Sequence, residues 1–318
     1  MIIQFLLILL GFILLIQGAN WMVDGASALA RKHNISNLAI GLTIVAFGTS
    51  APELVVNSIA SFEGHSDIVF GNIIGSNIFN LFAILGIVGL ISPIAVQSST
   101  VWKEIPISFI AIVVLYILCN SFLIQVDLTL SRLDGFVLFA FFTLFLLYVY
   151  KQLKMESLNF EVPQNNFTNL KIWSLIFIGI AGLVIGGNLV VSSSIIVATF
   201  LGISEKTIGL TIVAMGTSLP ELVTSVVAAL KKNNDIAIGN IIGSNIFNIS
   251  LILSVSAFIR PINYNPTFNG DIYVLALGTI FLFIAMFTGG KKKLDRWEAL
   301  VLLVTYLIYT IYLIRNVA

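Results

Sequence analysis

Apolar runs of about 20 residues alternate with short polar connections along the whole chain. A helix crosses the roughly 30 Å hydrocarbon layer of a bilayer with about 20 apolar residues. Ten such runs can be marked: 2–30, 38–62, 68–91, 104–124, 131–150, 171–200, 207–230, 236–259, 270–288 and 297–314. Almost no chain remains for a soluble domain. The longest connection, 151–170, reads KQLKMESLNFEVPQNNFTNL and divides the chain into 1–150 and 171–318, with five runs in each part. The first run opens MIIQFLLILLGFILLIQ, with no Lys or Arg before Arg31. A cleaved leader has a basic start and a small-residue cleavage site, so this run is predicted to be the first membrane helix.

Composition agrees. Of 318 residues, 58% are hydrophobic and only 10% charged, where a soluble chain carries roughly 25% charged. The apolar surplus has to face lipid. A net charge of +1 offers nothing to nucleic acid. Cys119 is the single cysteine, so no internal disulfide forms. Basic residues then set orientation. With the N-terminus outside, the cytoplasmic connections hold 12 of the 16 Lys and Arg, among them Arg31, Lys32, Lys103, Lys151, Lys231 and the run Lys291–Lys293. Only Arg132, Lys206, Arg260 and Arg315 fall outside. The expectation is a multi-pass protein of the cell membrane with both termini on the non-cytoplasmic side.

The two parts repeat one another. GLTIVAFGTSAPELVVNS at 41–58 and GLTIVAMGTSLPELVTSV at 209–226 match at 13 of 18 positions, at an offset of 168. At the same offset GNIIGSNIFN occurs at 71–80 and, unchanged, at 239–248. Gly11 with Gly179, Gly18 with Gly186 and Pro93 with Pro261 keep the register. Five spans is an odd number, so the second copy enters the membrane from the opposite side. The predicted fold class is therefore an all-α polytopic membrane protein of ten transmembrane helices, arranged as two inverted five-helix repeats. In secondary transporters such repeats place the substrate site at their interface near the midplane.

Only Glu53 and Glu221 are acids that are both deep in a span and duplicated. A charge at that depth costs several kcal/mol and marks function. Glu104, Asp134, Asp271 and Glu298 lie near span ends, where headgroups and water are expected to reach them. Pro52 and Pro220 cannot donate to the carbonyls one turn earlier. Ser50-Ala-Pro-Glu53 and Ser218-Leu-Pro-Glu221 fit a capping box with Pro in the first turn, so each span should stop and restart there. Restarting would free carbonyls such as those of Ala46 and Ala214. Hydroxyls, carbonyls and a carboxylate then converge, the hard-oxygen set that Ca2+ and Na+ take. A bare capped kink would not need a deep Glu, twice. In the second block, Asn72, Ser76 and Asn80 share one helix face at i, i+4, i+8, as do Asn240, Ser244 and Asn248. These residues either bind cations or tie helices together. His33 and His65 do not match across the repeat.

On these blocks the chain resembles the sodium/calcium exchangers of the cation/Ca2+ exchanger superfamily, in compact prokaryotic form. The resemblance covers nearly the whole length. It implies that Glu53 and Glu221 are central ligands shared by Ca2+ and Na+, surrounded by Thr49, Ser50, Thr217, Ser218, Ser76, Asn80, Ser244 and Asn248 and the carbonyls of Ala46 and Ala214. It implies that the spans 2–30 and 171–200 slide across the other eight to alternate access. Some relatives, including those that co-transport K+, carry Asp where this chain has Asn248. Two central carboxylates and no third point to a K+-independent antiporter. Several Na+ carry more charge than one Ca2+, so exchange should be electrogenic. The alternative is an H+/Ca2+ antiporter on the same scaffold, although that branch shows a different block in place of GNIIGSN. An intramembrane hydrolase would need a deep His or Lys to activate a serine, and none is present. No cofactor beyond the transported ions, no enzymatic activity and no partner besides the bilayer are expected, and a single chain suffices.

Overall fold

Backbone polar groups find no water inside a bilayer, so a spanning chain closes its hydrogen bonds within helices. The computed structural model describes residues 2–120, 128–156, 167–200, 214–290 and 292–317. Helix α1 is Ile2–His33, α2 Asn37–Thr49, α3 Ala51–Glu63, α4 Ser66–Ile91, α5 Thr100–Cys119, α6 Arg132–Glu156 and α7 Asn169–Phe200. There follow α8 Ala214–Thr217, α9 Leu219–Leu230, α10 Asn234–Ile259, α11 Asn269–Ala285 and α12 Arg296–Val317. Among the described residues, eight helices are long and apolar enough to cross a membrane, and α2 with α3 forms a ninth candidate bent by 47°. The tenth expected run, 207–230, is represented by α8 and α9; its first part, 207–213, lies outside the described residues.

The core sits on α4 and α10, the helices of the GNIIGSNIFN blocks. In each, 83% of the apolar window is buried, against 39% or less in the other spans. The remaining helices surround them and turn large side chains such as Phe5, Phe62, Phe136 and Phe177 outward, as a lipid-facing shell does. Gly239 and Gly243 let α10 lie directly on α2, where a Cβ on Gly239 would come within 2.9 Å of Leu38 O. Small residues at such crossings are the usual device for tight packing in lipid.

The most extensive helix contact among the described residues joins α1 to α7. Gly11 lies against Gly186, Gly18 against Gly179, and Gly25 against Ile172 and Ile176. Numbers rise on one helix as they fall on the other, so the pair is antiparallel. A Cβ on Gly18 would sit 2.8 Å from Gly179 O, which only glycine tolerates. The contacts are also reciprocal: Gly11 and Gly18 meet the 168-offset equivalents of each other. The same exchange holds at the periphery, where Gly86 lies against Leu303 and Gly135 against Ser254.

Two short antiparallel ladders tie the connections together. β1 (Ile94–Ala95) pairs with β4 (Lys293–Leu294), and β2 (Thr129–Leu130) with β3 (Ile262–Asn263). Each ladder joins two connections that the basic-residue count assigns to the same face. α3 ends on Gly64 in the left-handed region, φ 87°. The equivalent position is Lys232, which takes φ 58° without the freedom of glycine.

One expectation about the acids is corrected. Glu104 and Glu298 are not wetted at span ends; both are fully buried in protein. Glu104 accepts from the Tyr148 hydroxyl of α6. Glu298 accepts from Asp295 N at 2.7 Å and from the Thr288 hydroxyl, so it holds the start of α12. A neighbouring helix in the first case, and the connection leading into α12 in the second, replace the expected water.

Candidate functional site

The break between α2 and α3 falls at Ser50, and Pro52 lies in the first turn of α3. α8 and α9 break in the same way at Ser218, with Pro220 in the first turn. Both restarts occur where expected, since Leu54 N donates to Ser50 O and Leu222 N to Ser218 O, each at 3.1 Å. The breaks set Glu53 and Glu221 one turn inside their new helices, and both side chains are fully buried.

The capping boxes do not form. Neither serine hydroxyl caps its own helix. Each crosses to the other half instead. Ser50 donates to Glu221 Oε1 at 2.9 Å, and Ser218 donates to Glu53 Oε1 at 3.1 Å. A buried carboxylate is a stronger acceptor than water-competent backbone geometry and costs most if left bare, so the hydroxyls are drawn to the acids. The Ala46 carbonyl is not freed either. It accepts from Ser50 N at 3.0 Å and lies 3.2 Å from Thr49 Oγ1, because one further turn of backbone continues past the bend. For Ala214 the structure shows its place at the start of α8.

Reciprocity extends outward. Thr49 donates to Asn240 Oδ1 at 2.9 Å, and Thr217 to Asn72 Oδ1 at 3.2 Å. Asn80 donates to Asn245 Oδ1 at 3.1 Å, and Asn248 to Asn77 Oδ1 at 3.0 Å. Every pair exchanges its members at the 168 offset. Asn77 and Asn245 also donate to one another's backbone carbonyl, at 3.2 and 3.4 Å. This asparagine clasp was not singled out from the sequence. Its only signal there was that both residues lie in the unchanged ten-residue block; they fall one position off the i, i+4 stripe. The stripe divides accordingly. Asn72 and Asn240 tie helices together, and Asn80 and Asn248 have their amide nitrogens held by the clasp.

Both terminal asparagines also open a wide π-helical turn, Phe79–Ile84 in α4 and Asn248–Ile252 in α10. Such turns are frequent at functional sites because they re-aim side chains. α9, carrying Glu221, packs on the first of these turns, and α3, carrying Glu53, on the second.

Among the predicted site residues, five buried oxygens are without a hydrogen-bond partner: Glu53 Oε2, Glu221 Oε2, Asn80 Oδ1, Asn248 Oδ1 and Ser76 Oγ; Asn57 Oδ1 on α3, Thr224 Oγ1 on α9 and Glu104 Oε2 on α5 are unpartnered as well. None of the three ion pairs among the described residues involves either glutamate. Nor is there a cluster of three His, Cys, Asp or Glu among them. Two carboxylates with neutral oxygens and no protein cation make a hard, anionic site suited to Na+ or Ca2+ rather than to a transition metal. Ser244 takes a different part: its hydroxyl donates to Glu221 Oε1 at 3.4 Å and lies 3.0 Å from Ser50 Oγ. A cavity of about 250 Å3 reaches the site between α3 (Ala51, Pro52, Val55, Val56), α7 (Val184, Gly187, Asn188, Val191) and the second break (Gly216, Thr217, Pro220).

Comparison with known proteins converges on one family. The family model described as "Sodium/calcium exchanger protein" matches residues 3–151 and 171–315. The chain is 33% identical to sodium/calcium exchanger MaX1 of Methanosarcina acetivorans over 98% of each chain. It is 37% identical to inner membrane protein YrbG of Escherichia coli over 86% of each. Among solved structures it is similar to the sodium-calcium exchanger NCX_Mj soaked with zero Na+ and Ca2+, with a TM-score of 0.84 and 33% identity, covering 98% and 99% of the two chains.

Proposed function

Because this chain belongs to the sodium/calcium exchanger family, a multi-pass membrane family of cation/Ca2+ exchange, we propose that it is a secondary antiporter exchanging Na+ for Ca2+ by alternating access. The observation that carries the reading is the group of five unpartnered buried oxygens, two of them carboxylate, in a fold that supplies no cation of its own. Glu53 Oε2, Glu221 Oε2, Asn80 Oδ1, Asn248 Oδ1 and Ser76 Oγ bind the transported ion. Ser50, Ser218 and Ser244 aim the carboxylates, and Thr49 and Thr217 lock the breaks to α10 and α4. The Ala46 and Ala214 carbonyls border this set, the Ala46 carbonyl being engaged here by Ser50 N and Thr49 Oγ1.

The scaffold is ten spans in two inverted repeats, 1–150 and 171–318, joined by a cytoplasmic connection at 151–170. Reciprocal contacts at the 168 offset are what a two-fold axis in the membrane plane produces. Each ladder joins two connections assigned to the same face, in keeping with ten spans; the excess of Lys and Arg in the cytoplasmic connections supports termini outside the cytoplasm. α1 and α7 move together across the remaining helices, since they pack on each other through glycine backbones. An ion shifts such a pair only through its different affinity for the two states. Sharing oxygens between Ca2+ and Na+ makes their binding exclusive, which is what obliges exchange.

Two carboxylates balance one Ca2+, and a larger number of Na+ overbalances them, so exchange is electrogenic. Asparagine at both 80 and 248 leaves no third acid to accompany K+. Transport accounts for the site without any enzymatic step.

The test is 45Ca2+ uptake into proteoliposomes with Na+, K+ and H+ gradients imposed one at a time. An outward Na+ gradient alone should drive uptake, clamping voltage should change its rate, and K+ should be without effect. Uptake driven by a proton gradient and indifferent to Na+ would overturn the reading in favour of an H+/Ca2+ antiporter.

A further inference from the structure

The 168 offset lets the two ends of the α1–α7 pair be compared position by position, and they differ. Lys231, where α9 turns into α10, donates to Asp24 Oδ1 at 2.8 Å and to Asn20 O at 3.2 Å, both on α1. Two residues on, Asn233 donates to Ser27 Oγ at 2.9 Å. Three bonds thus staple two turns of α1 to the α9–α10 connection.

By the 168 offset the equivalent residues are Glu63, which ends α3, and His65 on the α3–α4 connection, with Asn188, Ser192 and Ile195 on α7. There the ion pair stays within the connection, His65 to Glu63 at 3.5 Å. Ser192 turns back on its own helix and donates to Asn188 O at 2.6 Å. Burial follows the bonding. From Met22 to Ala30, α1 is buried at every position except Asp24, whereas α7 from Val190 to Val197 is mostly half-buried or exposed. The 250 Å3 cavity lies against α7, lined by Asn188 and Val191.

We infer that Lys231 and Asp24 are positioning residues that latch α1 over one face of the cation site and so set the balance between the two access states. The inference rests on the alternating-access reading above. By the count of basic residues the latched face is the cytoplasmic one, and the face beside α7 is open. Among the described residues no ion pair joins α7 to the α3–α4 connection at the equivalent face. The latch therefore tilts an otherwise two-fold machine toward outward access. Neither partner touches an ion, and Lys231 is too far along α9 from Glu221 to act on it directly. A partly exposed pair of this kind shifts a two-state balance on the order of threefold.

The test uses the full chain in proteoliposomes, with Val191→Cys in a Cys119→Ala background. Its rate of labelling by a membrane-impermeant maleimide from the outer face reports how often that face is open. Asp24→Asn and Lys231→Gln should each slow labelling, by at most about threefold, while raising apparent Ca2+ affinity at the inner face relative to the outer. The swap Asp24→Lys with Lys231→Asp should restore both readouts, which a loss of folding would not. Labelling unchanged in the single variants, or a swap no better than they are, would overturn the latch. Because labelling needs no transported ion, it stands even if wild-type Ca2+ uptake proves independent of Na+, the result that would overturn the exchange reading instead.

Discussion

Around Glu221 and Glu53 the two halves carry nearly the same residues, yet they are bonded differently. Glu221 Oε1 takes hydrogen bonds from Ser50 and Ser244, and Thr49, Asn240 and Ser225 continue the chain without a gap, since Asn240 donates to Ser225 Oγ at 2.9 Å. Glu53 Oε1 takes the bond from Ser218, while Ser76 Oγ, Asn72 Nδ2 and Asn57 Oδ1, all on its side, are buried and unpartnered. Both breaks border the cavity, through Ala51 and Pro52 on one side and Gly216, Thr217 and Pro220 on the other. One set of side chains thus has a closed and an open arrangement, and the molecule shows one of each. Part of the difference is chemical, since Ser225 stands where the other half has Asn57, and the rest is conformational. Sliding of α1 and α7 should exchange them.

The comparison can be broken most severely at the acids. Glu53→Gln and Glu221→Gln should each reduce Ca2+ exchange on the order of a hundredfold, from the roughly 3 kcal/mol that losing half of a buried charge pairing costs. Because exchange visits both arrangements, the two variants should fail alike; 45Ca2+ flux beside a size-exclusion profile checks this. Marked activity in either would mean that one half carries the ion alone.

Next come the clasp residues. Asn77→Ala or Asn245→Ala leaves the ligand set intact but frees Asn248 or Asn80 to rotate, and should weaken Ca2+ binding about tenfold, as loss of supporting bonds around metal ligands does. Equilibrium 45Ca2+ binding measures it. A smaller effect sharpens the asymmetry directly. Ser76 Oγ is free for the ion and Ser244 Oγ is shared with the acid and Ser50, so Ser76→Ala should lower outer-face affinity a few-fold more than Ser244→Ala, about 1 kcal/mol. Equal losses would show that the two serines serve the ion equally. Smallest is the turn. Lys232→Gly relieves a left-handed residue where the other half already has Gly64, and should raise thermal stability in detergent by about 1 kcal/mol without altering flux.

The sequence disclosed most of the scaffold. Apolar length located the spans, the repeat offset paired the halves, and depth picked out Glu53 and Glu221. It did not disclose which way Ser50 and Ser218 point. A capping box is read from spacing along one helix, and spacing is blind to an acceptor 171 or 165 residues away. The same blindness hid Asn77 and Asn245, whose partners lie on the other half. It also hid the burial of Glu104, which depends on Tyr148 of α6, and of Glu298, which depends on how the connection before α12 folds back. The π-helical turns were not legible either, since nothing in FNLFAI or NISLI marks a change of helical pitch.

The crossing of the serines has a consequence for how small such a machine could be. Ser50 serves Glu221 and Ser218 serves Glu53, so neither half owns a finished carboxylate. This is the self-complementary contact of a symmetric dimer, written into one chain. A product of half the length would complete the site only by meeting a second copy inserted in the bilayer the other way up. In the inverted arrangement proposed above, joining the two halves through 151–170 would fix their opposed insertion and their one-to-one ratio. It would also let the halves differ, as Lys231 differs from Glu63.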